Sequence, residues 1–242
     1  MKKIHILGIP FINLKKDKLL KIIHNRVKEN KKTYIVTANA EITIYAKENK
    51  EYHDIINKAT YIVPDGIGIV KGAKLLNYHI PERIPGIELM EDLLDIASRN
   101  NQSVYFYGAK ENVLNTMVKN IKNIYPKLNI VGYNHGYDND RDNKITNQIL
   151  ELKPDYIFVA KGYPHQDIWI DKIIDKVEKG CFMGVGGSFD VLSGFTKRAP
   201  ELWIKLNLEW LYRIVSDPKR WKRSAALPKF SIEVIKQKIL KK

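Results

Sequence analysis

The chain has 242 residues, 44% hydrophobic and 28% charged, which is ample for one large domain and too apolar for wholesale disorder. Its one cysteine, Cys181, excludes an internal disulfide and a cysteine-based zinc cluster, and fits a reducing compartment. The net charge of +14 points to an anionic partner, and no apolar run approaches the roughly 20 residues that span a bilayer.

The first residues, Met1-Lys2-Lys3 and an apolar stretch to Leu14, superficially resemble a signal peptide. His5, Pro10 and Asn13, and the want of a small-residue cleavage site, make them a first strand (3–7) and a loop. Further β-branched or aromatic runs predict strands over 33–37, 60–63, 103–107, 129–132, 155–160 and 181–185. Helical patterns lie between them, over 15–29, 86–100, 111–125 and 166–178; the last sets Ile170, Ile173, Ile174 and Val177 on one face. Such alternation predicts an α/β fold with a Rossmann-like, mostly parallel sheet and helices on both faces. Gly108, Gly162, Gly186 and Gly187 follow strands, where ligands bind in folds of this class.

Beyond a boundary near 194–200 the pattern is helical only, so the chain divides into an α/β domain (1–195) and a C-terminal helical appendage (196–242). A helix is predicted over 201–215. Pro228 breaks the pattern, and a last helix over 229–240 puts Ile232, Ile235 and Ile239 on one side and lysines on the other. The appendage carries 13 Lys and Arg against 4 Asp and Glu, a balance of +9, while the other 195 residues balance at +5. Trp203, Trp210 and Trp221 lie there too, the last inside the basic cluster 219–223. A basic, Trp-rich segment suits membrane phospholipid, a diphosphate or nucleic acid.

Several motifs carry candidate chemistry, each beside a plainer role. Pro64-Asp65-Gly66 follows a strand; Asp65 is placed to act as a general base, or the tripeptide is simply a turn. Thr37 and Asn39 offer hydrogen bonds to sugar hydroxyls, or Asn39 caps a helix starting near Ala40. Arg83, in Glu82-Arg-Ile-Pro-Gly86, pairs with phosphate or is a solvated surface residue. Gly162-Tyr163-Pro164-His165-Gln166-Asp167 turns a strand into a helix, with Gln166 binding ligand or merely filling the first turn. Gly184-Val-Gly186-Gly187-Ser-Phe-Asp190 lacks the third glycine of a dinucleotide fingerprint and comes late in the domain, so a nicotinamide or flavin is not expected. Asp138-Asn139-Asp140 has the D-x-D form that holds metal in many sugar-nucleotide transferases, and is also frequent in polar turns. A calcium loop is excluded by Asn143 and Ile149. There is no Walker A sequence, no H-x-x-x-H and no G-x-S-x-G.

In order and spacing, Thr37-Ala-Asn-Ala-Glu41, Pro64-Asp-Gly66, Glu82-Arg-Ile-Pro-Gly86, Gly162-x-Pro-x-Gln166, Gly184-x-Gly-Gly-Ser-Phe-Asp190, Arg198-Ala-Pro200 and Leu208-Glu-Trp-Leu-Tyr-Arg213 together resemble the WecG/TagA/CpsF glycosyltransferases, the TagA type most of all. The likeness runs from about residue 30 to 225. It implies an inverting, metal-independent transferase without a cofactor. The substrates it implies are UDP-N-acetylmannosamine and N-acetylglucosamine on undecaprenyl diphosphate, and the product primes wall teichoic acid. A related alternative transfers N-acetylmannosaminuronic acid or a capsule sugar. By the same resemblance Asp65 is the base, and Thr37, Asn39 and Gln166 contact sugar. Arg83 sits near the diphosphate, and Arg213, Arg220 and Arg223 neutralise the leaving group. Gly162, Gly186, Gly187 and Asp190 join the substrate-binding set. The appendage helps complete the site and docks on an anionic membrane, which implies a cytoplasmic protein peripheral to the inner face of the cell membrane. An apolar patch left bare by that tail would let subunits pair. Two departures stand out: Asp167 replaces the family's usual Glu, and Asp138 replaces the usual Phe, creating the D-x-D.

Two other classes compete. A nucleic-acid-binding module fits the charge, but no binding motif supports nucleic acid as a partner. A purely structural membrane adaptor leaves Asp65, Arg83 and Gln166 without a task.

Overall fold

The computed structural model describes residues 3–136, 142–206, 208–216 and 225–240. Its strands are β1 (Lys3–Ile6), β2 (Ile9–Ile12), β3 (Thr33–Ala38), β4 (Tyr61–Pro64), β5 (Ser103–Gly108), β6 (Asn129–Asn134), β7 (Tyr156–Ala160) and β8 (Cys181–Gly184). They form one sheet in the order β1-β2-β4-β3-β8-β7-β5-β6. Only the β1–β2 pair is antiparallel; the other neighbours run parallel. The helices are α1 (Lys16–Lys28), α2 (Ala40–Glu48), α3 (Lys50–Asn57), α4 (Ile67–Leu75), α5 (Gly86–Arg99), α6 (Glu111–Ile124), α7 (Asp142–Leu152), α8 (His165–Ile174), α9 (Ser188–Leu192), α10 (Glu201–Lys205), α11 (Glu209–Ser216) and α12 (Ala226–Leu240). The expected α/β class and mostly parallel sheet are what the chain adopts.

Helices cover both faces. Tyr34, Val36 and Ala38 of β3 pack with α2, α3, α4, α7, α8 and α12 on one side. Ile35, with Tyr61 and Val63 of β4, packs with α1, α5, α6 and α9 on the other. Every residue of β7 and β8 is buried, which is why these strands read as unbroken apolar runs. β3 and β8 are parallel neighbours. The chain leaves β3 for α2 on one face and β8 for α9 on the other. A crevice therefore opens between their carboxyl ends, the usual ligand position in such sheets.

Four features depart from the sequence-based expectations. Residues 9–12, read as loop, are strand β2, reached through a turn in which Leu7 and Gly8 both have positive φ (50° and 85°). Helix α7 is polar, with only Ile145 and Ile149 buried, so its apolar signal is thin. The helix expected over 201–215 is divided into α10 and α11. Pro228 does not break the last helix; it sits in the first turn of α12, where a missing N–H costs no internal hydrogen bond.

Helix α12 is tied firmly to the α/β core. Phe230 and Val234 are buried against α2 and α4. The Gln237 amide oxygen accepts from the Leu7 N–H at 2.8 Å, and its Nε2 donates to the His5 carbonyl at 3.2 Å. Ion pairs join Lys47 to Glu233 and Lys229 to Glu48.

Candidate active site

A cavity of ≈ 580 Å³ lies at the carboxyl ends of β4, β3, β8 and β7. Thr37, Asn39, Asp65 and Arg83 line it, as do Gly162, Gln166, Gly186 and Gly187. Residues scattered over 150 positions meet because they end adjacent parallel strands or open the helices that follow.

Asp65 is held by backbone on two sides. Its own N–H continues the ladder to the Ala38 carbonyl at 3.0 Å, and its Oδ2 accepts from the Gly86 N–H at 3.2 Å. Gly66 then turns the chain into α4 at φ 112°, a conformation that costs other residues a steric penalty. The turn and the functional reading of Pro64-Asp65-Gly66 therefore coexist. Thr37 Oγ1 donates to the Gly184 carbonyl at 3.3 Å. A Cβ on Gly86 would lie 2.9 Å from Thr37 Oγ1, so glycine lets α5 start against β3. Asn39 also has two tasks: Oδ1 accepts from the Ile42 N–H at 3.0 Å and caps α2, which leaves its amide N–H groups as donors on the cavity wall.

Gln166 is buried. Its Oε1 accepts from the Gly186 N–H at 3.1 Å, and its Nε2 packs against the Cα of Gly184, where any side chain would collide. It thus braces the β8–α9 turn as well as lining the cavity. Its neighbour Asp167 is not on the cavity wall. Fully buried, it accepts hydrogen bonds from Tyr34 Oη and Tyr52 Oη, each at 2.8 Å. Burial pushes its pKa up to about 6, against the opposing pull of the two hydroxyls. The shorter side chain at this position therefore makes an internal brace between β3, α3 and α8.

Arg83 Nη1 donates to Glu209 Oε2 at 3.4 Å; their side chains are only 14% and 8% exposed. The sequence-based candidate is thus engaged by a carboxylate from α11. Asp190 does not line the cavity; its carbonyl accepts from the Thr196 N–H at 2.9 Å and helps turn the chain out of α9. Arg213 lies on α11, its side chain outside the described set; Arg220, Arg223, Asp138 and Asp140 fall outside the described residues altogether. Among the described residues, no three His, Cys, Asp or Glu side chains gather as a metal site.

Residues 4–242 match the glycosyl transferase WecG/TagA/CpsF family. The chain belongs to that family. It is 37% identical over 236 residues to the N-acetylglucosaminyldiphosphoundecaprenol N-acetyl-beta-D-mannosaminyltransferase of Bacillus subtilis (strain 168), covering 97% of this chain and 92% of the relative. The protein of the same name from Staphylococcus aureus (strain MW2) is 39% identical over 241 residues, 98% of this chain and 93% of its own. That from Bacillus spizizenii is 40% identical over 208 residues, 86% and 80% of the two chains.

This WecG/TagA/CpsF transferase also builds its cavity from residues that sequence reasoning passed over. Glu41, Lys71 and Tyr163 line it, as do Thr196, Trp210 and Ile214, and Leu227, Phe230 and Ser231 of α12 close one side. Glu41 and Glu209 both stood inside the quoted motifs, so position was a signal; their contacts were not. A second cavity of ≈ 440 Å³ lies across the β7–α8 loop, with Lys161, His165 and Lys172 on its wall. Lys161 Nζ is 2.7 Å from Asp142 Oδ1 and donates to Tyr107 Oη at 3.1 Å.

Proposed function

We propose that this chain is an inverting N-acetylmannosaminyltransferase. It moves N-acetylmannosamine from UDP to N-acetylglucosamine carried on undecaprenyl diphosphate, forming the β-linked disaccharide-lipid that primes wall teichoic acid. The observation that carries this reading is the Asp65 carboxylate, held at the mouth of the β3–β8 crevice in a chain that is 37% identical, over 97% of its length, to an enzyme so named.

In this mechanism Asp65 accepts the proton of the acceptor hydroxyl as its oxygen attacks the donor's anomeric carbon. The new C–O bond forms on the face opposite UDP, the bond to the diphosphate breaks, and UDP leaves with the electron pair. A positioned base contributes about 10²–10⁴-fold. Thr37, Asn39 and Gln166 orient the sugars with Gly162, Gly186 and Gly187. Charge on departing UDP is balanced by fixed cations, Arg213, Arg220 and Arg223, helped by the N–H groups of Arg83 that its Glu209 contact leaves over, with no resident metal or cofactor.

The acceptor's lipid chain stays in the bilayer, so the enzyme works at the membrane's inner face. No described helix is long and apolar enough to cross a membrane. The C-terminal segment instead exposes Leu202, Leu206, Val215, Ile232, Ile235 and Ile239 within a stretch of net charge +9. Apolar side chains among lysines suit peripheral binding to an anionic leaflet, where each basic residue contributes about 1 kcal/mol.

The test is a transfer reaction with a lipid-diphosphate N-acetylglucosamine acceptor and a panel of UDP-sugars, with the product weighed by mass spectrometry. One added N-acetylhexosamine, from UDP-N-acetylmannosamine and not from the uronic acid, is expected. Transfer of a different sugar in preference would overturn the donor assignment.

A further inference from the structure

Arg83 and Glu209 are 126 residues apart in sequence and form an ion pair at 3.4 Å with both side chains largely buried. Each lines the main cavity. Arg83 belongs to the segment that restrains the base: one residue on, the Ile84 N–H donates to the Pro64 carbonyl at 3.0 Å, and the Gly86 N–H donates to Asp65 at 3.2 Å. Glu209 is the first residue of α11, a helix of 8 residues whose Trp210 and Ile214 wall the same cavity. A helix this short has no stability of its own in water and depends on tertiary contacts. Residues upstream are fastened elsewhere, Arg198 to Glu88 of α5 at 2.8 Å.

We propose that Glu209 is a positioning residue: by pairing with Arg83 it latches α11 onto the segment that holds Asp65, and so completes the cavity wall from the C-terminal side. At 3.4 Å the contact is longer than an ideal charge-assisted hydrogen bond, but both side chains are largely out of water, so removing Glu209 leaves the Arg83 guanidinium buried without this counter-charge. Glu209 itself need not touch substrate. It sets where the helix bearing Trp210, Arg213 and Ile214 lies. The seating of α11 is measurable without substrate; the role in transfer rests on the reaction proposed above.

The experiment is amide hydrogen exchange over residues 209–216 of the full chain, in native protein, Glu209→Gln, and the charge-swapped Arg83→Glu/Glu209→Arg protein. The latch predicts exchange about tenfold faster in Glu209→Gln and return to within threefold of native in the swapped protein. Unchanged exchange in Glu209→Gln, or a swapped protein no better protected than the single variant, would overturn it. Steady-state kinetics add a second readout: kcat/KM for the lipid acceptor should fall about tenfold in Glu209→Gln, because α11 also carries Arg213. A loss of transfer with native exchange over 209–216 would mean that Glu209 acts on the reacting atoms rather than on the wall.

Discussion

Phe230 of α12 lies over Gly72 of α4 so closely that a Cβ on Gly72 would stand 2.9 Å from the ring. The glycine makes the seat on which the C-terminal helix rests, and through it one wall of the cavity. Gly72→Val should destabilise the protein by about 1–3 kcal/mol, since the buried ring has no room to swing aside. It should also speed hydrogen exchange across α12 specifically. Native melting and native protection in that variant would mean that the contact is not tight.

Asp167 makes stability depend on pH. Its folded pKa of about 6 lies above the ordinary 3.8, so the folded state holds the proton more firmly than the unfolded chain. Its favourable contribution is complete below about pH 4 and is lost as pH rises through 6, a change of about 3 kcal/mol. Urea unfolding between pH 4 and 7 should show this fall in native protein and a flatter profile in Asp167→Asn. Identical profiles would remove Asp167 as its source.

Gln166 braces the turn after β8 through the Gly186 N–H. Gln166→Ala strands that amide, at a cost of about 1–3 kcal/mol. The β8–α9 turn should loosen, so transfer should fall along with melting temperature. A variant that loses transfer at native stability would assign Gln166 to ligand contact alone.

Ile232, Ile235 and Ile239 are exposed on α12, on the side away from Phe230 and Val234. Replacing all three by Ser should change stability by less than about 1 kcal/mol, because exposed positions contribute little to the fold. Flotation with anionic vesicles at low salt should nevertheless drop sharply, and native binding should weaken as salt rises. Undiminished flotation of the triple variant would move membrane contact off this face.

Much of the cavity was legible because chemistry in this fold collects at strand ends. Thr37, Asp65, Gly162 and Gly186 each follow an apolar run, and parallel pairing of β4, β3, β8 and β7 brings them side by side. What stayed hidden depended on contacts distant in sequence. Leu7 at positive φ is not a residue that announces a hairpin, so β2 passed as loop. Asp167 looked like part of a ligand motif because nothing local points to Tyr34 and Tyr52 as its partners. The alternation of Ile and Lys in the last helix was plain, yet its buried face is set by Phe230 and Val234, which pack on α2 and on α4 at Gly72.

Asp65 acts as the base, and fixed cations balance the departing UDP. The most direct measurement is disaccharide-lipid formation in EDTA by native and Asp65→Asn protein of matched melting temperature. Native transfer should survive the chelator, and the variant should fall by about 10²-fold or more. Near-native turnover in Asp65→Asn, or native transfer that returns only with added manganese or magnesium, would contradict this mechanism.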